Sequence, residues 1–184
     1  STILKNMVKI ILSLLITQFI FSQSIFDTYR LNDQVSYVSV SPQMFSMLAK
    51  LNIDVDDPEA KEFIELVSKI KVFKLLRTGQ PSISKAFSDW THAYVNENKL
   101  EEMMQVRENE TNIFFYALIS DQDHIVDEIV MLVQHNGEVS NLAEIEQQTV
   151  ILLIQGSINL NRISSLTQKL NLPAGDQLKK FKIK

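Results

Sequence analysis

A chain of 184 residues, 45% hydrophobic, with a net charge of −4 and no cysteine, is long enough to bury a sizeable core of its own. The acidic balance argues against nucleic acid or anionic lipid as the main partner. The lack of cysteine excludes a disulfide framework, a thiolate nucleophile, a Cys-ligated metal and a lipid anchor on an N-terminal cysteine.

The first 23 residues read as a signal peptide. Met7 is the expected start, Lys9 supplies a positive flank, and an apolar run from Ile10 to Phe21 leads into polar Ser22, Gln23 and Ser24. Interrupted by Ser13, Thr17 and Gln18, the run is too short to span a bilayer comfortably. Cleavage near Gln23 would remove Lys5 and Lys9 and no acid, moving the net charge from −4 to −6. The expectation is an exported protein, periplasmic or secreted, with a single mature domain over 24–184, no membrane span in it, and a basic tail from about 174.

Ser24 to Gln34 carries no clear period and is expected to be irregular. From Val35 to Ser41 apolar and small polar residues alternate, which predicts a strand. The chain then passes directly into a helix, with Ser41 as N-cap, Pro42 at the first helical position, and Val40 and Phe45 placed to form a hydrophobic staple. Met44, Leu48 and Leu51, with Phe45 beside them, are the expected apolar face. The stretch NIDVDDP breaks that helix, and a second begins at Asp57-Pro58 with Ala60, Phe63, Ile64, Val67 and Ile70 on its apolar stripe. Val72 to Leu76 is a predicted strand, ending at Gly79 and Pro81. A third helix, about Ser82 to Asn96, places Ile83, Ala86, Phe87, Trp90 and Tyr94 on one face.

Beyond Lys99 the pattern is all strand. Glu101 to Arg107 pairs with Ile113 to Ile119 across ENETN, Ile125 to Gln134 follows, and Thr149 to Gln155 comes after a polar connection. Gly156 is expected to turn the chain into a final helix near Asn159 or Asn161. The order strand-helix-helix-strand-helix, then a strand meander and a last helix, predicts an α+β fold with a mostly antiparallel sheet. The segments IFFYALI, IVMLV and VILLI are apolar on both faces, whereas an antiparallel sheet with one wet face alternates. Either helices cover both faces, or one face meets a homodimer mate or another envelope protein.

No catalytic constellation emerges. Asp54, Asp56, Asp57 and Glu65 lack the oxygen ligand and the glycine that a calcium loop needs, since Pro58 and Glu59 stand at those places. Asp121, Asp123, His124, Asp127 and Glu128 form the densest acid cluster, but strand alternation sends Asp127 and Glu128 to opposite faces, and a solvated hairpin turn is the expected role. His92, His124 and His135 lie in separate elements. Four glycines, Gly79, Gly137, Gly156 and Gly175, cannot build a phosphate-cradling loop. Asn109-Glu110-Thr111 matches a glycosylation sequon. No metal site, cofactor or catalytic residue is predicted. The aromatic stripe Phe87, Trp90 and Tyr94 is foremost core, and is the one place where a ligand or interaction platform would form.

The hinge VSYVSVSPQMFSMLAKL, the stretch DPEAKEFIELVSKIKVFKLL and the closing LIQGSINLNRISSLTQKL resemble a family of small exported proteins of Gram-negative bacteria, a domain of unknown function numbered 4252. The similarity spans roughly Ile25 to Leu172. It implies an α+β domain of the cell envelope, often lipid-tethered, with no established activity to carry over. This chain departs from it in having no cysteine after its signal and a longer connection over Glu138 to Gln148. Together these readings predict an exported, non-enzymatic module acting by protein contact in the envelope. The alternative is a carrier or sensor of a small apolar ligand held against Phe87, Trp90 and Tyr94.

Overall fold

The computed structural model of the protein describes residues 24–51, 58–108, 110–122, 124–135 and 148–160. The expected signal segment, the acidic turn before Pro58, the Glu138 to Gln147 connection, the final helix and the basic tail lie outside the described residues. In chain order the elements are α1 (Ile25–Tyr29), β1 (Ser36–Val40), α2 (Pro42–Leu51), α3 (Pro58–Ser68), β2 (Ile70–Thr78), α4 (Pro81–Glu97), β3 (Glu101–Glu108), β4 (Thr111–Ile119), β5 (Ile125–His135) and β6 (Thr149–Asn159).

All six strands join one antiparallel sheet in the order β1-β2-β6-β5-β4-β3. The fold is α+β. Strands β3 to β6 form the meander, and β6 inserts against β2, so β2 and β3 run in the same direction four places apart. A connection between two such strands must return across the sheet, and α4 makes it, packing on β5 and β6. Its end is a Schellman-type stop. Lys99 takes the left-handed conformation at φ 56°, the Leu100 amide donates to Val95 O at 2.9 Å, and both apolar side chains are buried.

The sheet is buried on both faces. On one, Phe45 of α2 and Leu66 and Val67 of α3 share a core with Phe73, Ile129, Met131, Leu152 and Ile154. On the other, Ile25 and Phe26 of α1 and Ile83, Phe87 and Val95 of α4 meet Leu76, Val130, Leu132, Ile151 and Leu153. Alternate residues of β5 and β6 thus belong to different cores, which is why these strands read as continuous apolar runs. Their apolar faces are occupied within the chain, and the strand faces call for no second molecule.

Four local expectations are corrected. The segment after Ser24 is helical, not irregular: Asp27 and Thr28 donate backbone N–H to Ser24 O, and the turn buries Ile25 and Phe26 on the sheet. In α2 the Ser41 hydroxyl caps the Met44 amide at 3.3 Å as expected, yet Phe45 is buried and Met44 exposed. Successive helical residues point about 100° apart, so only one of the pair can face the sheet. Ile70 belongs to β2 rather than to the stripe of α3, because Lys69 N–H closes the helix on Leu66 O at 3.2 Å; Leu66 takes the buried place. Gly156 does not turn the chain. It lies inside β6, which runs on to Asn159, and pairs with Ile70. Its φ is +152°, and a Cβ there would sit 2.2 Å from Lys69 O, so β6 passes the α3–β2 corner only because the residue has no side chain.

Candidate functional site

The three aromatic residues singled out on α4 separate by depth. Phe87 is fully buried, its ring edge-on to Tyr29 at 5.4 Å between centroids. It is core and offers nothing to a ligand. Trp90 and Tyr94, one turn apart, are half-buried and stacked, with centroids 4.6 Å apart and planes at 24°. Phe26 of α1 stands edge-on to Trp90 at 5.6 Å, and Lys74 Nζ of β2 lies 5.7 Å from the centre of the Phe26 ring. Helical spacing explains the split. Phe87, Thr91 and Val95 lie on the line facing the sheet, and Trp90 and Tyr94 flank it.

Beneath Tyr94 lies a polar group that the sequence reading placed in a solvated turn. Glu128 of β5 is only 7% exposed. Its carboxylate Oε2 accepts a hydrogen bond from Gln155 Nε2 of β6 at 2.7 Å; the two residues are register partners across the strands. Oε1 is shielded from solvent and has no hydrogen-bond partner among the described residues. Burial first, then the hydrogen bond that the phenol donates to the Glu128 carboxylate and that carboxylate's charge, push the Tyr94 phenol well above its ordinary 10.0, while the Gln155 amide pulls the other way. A neutral phenol, a carboxylate and an amide therefore converge under one aromatic pair. Such a group binds and orients; among described residues it has no nucleophile paired with a base.

Glu128 was legible in part. Alternation puts it on the same face as Val130 and Leu132, and an acid in register with two buried residues is a signal for a buried carboxylate. A register shift between Val126 and Glu128 marks a bulge at Asp127, which is exposed, so the two acids do diverge. Asp121 and His124 are also exposed, and Asp123 lies outside the described residues, as do the sequon residue Asn109 and Asp54, Asp56 and Asp57. Among described residues no three His, Cys, Asp or Glu side chains gather to hold a metal. The histidines stay apart: His92 meets the Phe114 ring at 5.9 Å, His124 sits in the β4–β5 turn with φ 60°, and His135 Nε2 lies 3.6 Å from Glu110.

A second feature lies at the sheet's ends. The edge strand β3, EEMMQVRE, carries a charge at half of its eight positions, the usual protection of a strand edge. The opposite edge, β1, is SYVSV and carries none; among described residues its single strand neighbour is β2. Val38 on that strand is 45% exposed, and Met44 and Met47 of the helix that follows directly are 51% and 58% exposed.

A family model for a domain of unknown function (DUF4252) matches residues 29–166. The chain belongs to the DUF4252 family. The matched span takes in all six strands of the sheet and α2 to α4, with Trp90, Tyr94, Glu128 and Gln155, so the DUF4252 match covers the sheet and the site together. No curated protein and no solved structure matches the chain. No described helix is long and apolar enough to cross a membrane.

Proposed function

We propose that this DUF4252 protein is an exported, non-enzymatic module that acts by protein contact in the cell envelope, and that β1 is its contact edge. The observation that carries the reading is the inequality of the two edges. Among the described residues β1 is uncharged and has a strand on one side only, and such an edge presents unpaired N–H and C=O groups to any extended segment that approaches. The partner that fits it is a second copy. Antiparallel pairing of β1 with itself about Val38 sets Val38 against Val38, Tyr37 against Ser39 and Ser36 against Val40. No like charges meet across the two-fold, and exposed Val38, Met44 and Met47 gain apolar cover. The apolar leader Ile10 to Phe21 supports export.

Native mass spectrometry of the mature chain across a concentration series tests this. The wild type is expected to dimerise reversibly, and Val38→Lys to be monomeric because two lysines would then face each other across the two-fold. Gln105→Lys, on the edge already charged, should leave the dimer intact. A wild type that stays monomeric at the highest concentration reached, or a Val38→Lys dimer of undiminished stability, would refute it.

A further inference from the structure

The buried carboxylate calls for a separate explanation. A carboxylate taken out of water is stable only when its oxygens are paired. Gln155 donates to Oε2 and the Tyr94 phenol hydrogen-bonds the same carboxylate, whereas among the described residues Oε1 has no partner and sees no solvent. Among the described residues, Lys74 Nζ sits at the Phe26 ring and Lys85 pairs with Asp89 on the exposed side of α4. His135, at the other end of β5, lies against Glu110 and Thr111. What does adjoin Glu128 is aromatic. Tyr94, whose phenol hydrogen-bonds the carboxylate, stacks on Trp90, and both rings are half-exposed.

A buried acid with one oxygen left unpartnered, bonded to the phenol of a stacked aromatic pair, suits one kind of chemistry. A protonated amine supplies three N–H donors and a charge, satisfies a carboxylate oxygen, and is attracted by the ring quadrupoles. An apolar chain attached to that amine would lie along Trp90 toward Phe26. We infer that Glu128, Gln155, Tyr94 and Trp90 form a binding site for the ammonium head of a small amphiphilic amine. The carboxylate provides the charge, Gln155 holds it in place, and the Trp90–Tyr94 pair walls the amine and its first methylenes. Entry requires the Tyr94 ring to swing off the carboxylate, a side-chain rotation at the half-exposed rim that leaves the core residues Phe87, Thr91 and Val95 untouched.

Trp90 is the only tryptophan of the chain, so its emission reports this site alone. Octylamine, octanol and octanoate are the probes, titrated into the whole mature protein. Octylamine is expected to change Trp90 emission saturably and to bind at least tenfold tighter than octanol, with octanoate weakest. Glu128→Gln keeps the shape and the Gln155 contact and removes the charge; it should bring octylamine down to the affinity of octanol. Equal affinities for octylamine and octanol on the wild type would overturn the proposal, as would full octylamine binding by a folded Glu128→Gln protein. The comparison of the three probes on the wild type decides the matter even where the variant does not fold.

Discussion

Replacing Gly156 by alanine should be among the most damaging single-atom additions this fold can receive. The added Cβ would stand 2.2 Å from Lys69 O and 3.0 Å from Ile70 Cα, and both are backbone atoms rather than the yielding end of a side chain. Relief requires β6 and the α3–β2 corner to part by roughly 1 Å. That corner is pinned from both sides. Lys69 N–H is bonded to Leu66 O, Ile70 pairs with Gly156 itself, and Leu66, Val67 and Ile70 are buried in one core. The φ of +152° adds a conformational penalty that no L side chain escapes. Steric overpacking and forbidden backbone each cost about 1–3 kcal/mol, so about 3 kcal/mol or more is expected. For a chain of this size that lowers the melting temperature by about 6–12 °C. Differential scanning calorimetry of the protein measures it, with Gly79→Ala as the internal control. Gly79, between β2 and α4, has nothing within 4 Å of its would-be Cβ and no positive φ, so its replacement should shift stability by no more than about 1 kcal/mol, and upward. A Gly156→Ala protein that melts with the wild type would refute the reasoning about β6.

Phe87→Ala removes a fully buried ring together with its edge-on contact to Tyr29, and should cost about 3–5 kcal/mol in urea unfolding; a loss below about 1 kcal/mol would mean that α4 is not seated as described. The raised pKa of Tyr94 gives a pH dependence of definite sign. The folded protein holds the proton of the neutral phenol more tightly than the unfolded chain, so the stabilisation is complete below the unfolded value near 10 and is lost as pH rises above it. Urea unfolding between pH 9 and the highest pH at which the protein stays intact should therefore fall more steeply for the wild type than for Tyr94→Phe, and parallel slopes would remove Tyr94 from the linkage. Tyr116, raised by burial and then by the Glu102 charge, contributes in the same direction and is common to both proteins.

What could be read from the sequence followed local periodicity, and what could not depended on which neighbours the sheet supplied. Pro42, Pro58 and Pro81 each mark the first residue of a helix, because a proline there gives up an N–H that has no partner anyway. The two-sided apolar strands announced a sheet covered on both faces. Phe45 and Met44 were not separable by pattern, since both fit an amphipathic stripe and only the direction of the sheet selects one. Gly156 carried a turn signal at the end of VILLI, and the feature that decides its role, the carbonyl of Lys69, is 87 positions away in the chain. The site divided the same way. The stack of Trp90 on Tyr94 follows from four-residue spacing, whereas the pairing of Glu128 with Gln155 requires the β5–β6 register, 27 residues apart.

The proposed contact edge and the proposed amine site are separated by the sheet itself, and this makes each a control for the other. From β1 to β5 there are three strand spacings of about 4.8 Å, roughly 14 Å, with β2 and β6 between them. Val38 lies on the face that carries α2, and Glu128 on the face that carries α4. No single side chain described here touches both. A dimer that forms through β1 should therefore leave octylamine binding unchanged in Val38→Lys, and Glu128→Gln should leave the dimer unchanged. Should either variant disturb both properties, the edge and the carboxylate would have to be linked through β2 and β6. Lys74, which stands on β2 against Leu153 of β6 and over the Phe26 ring, is the residue placed to carry that link.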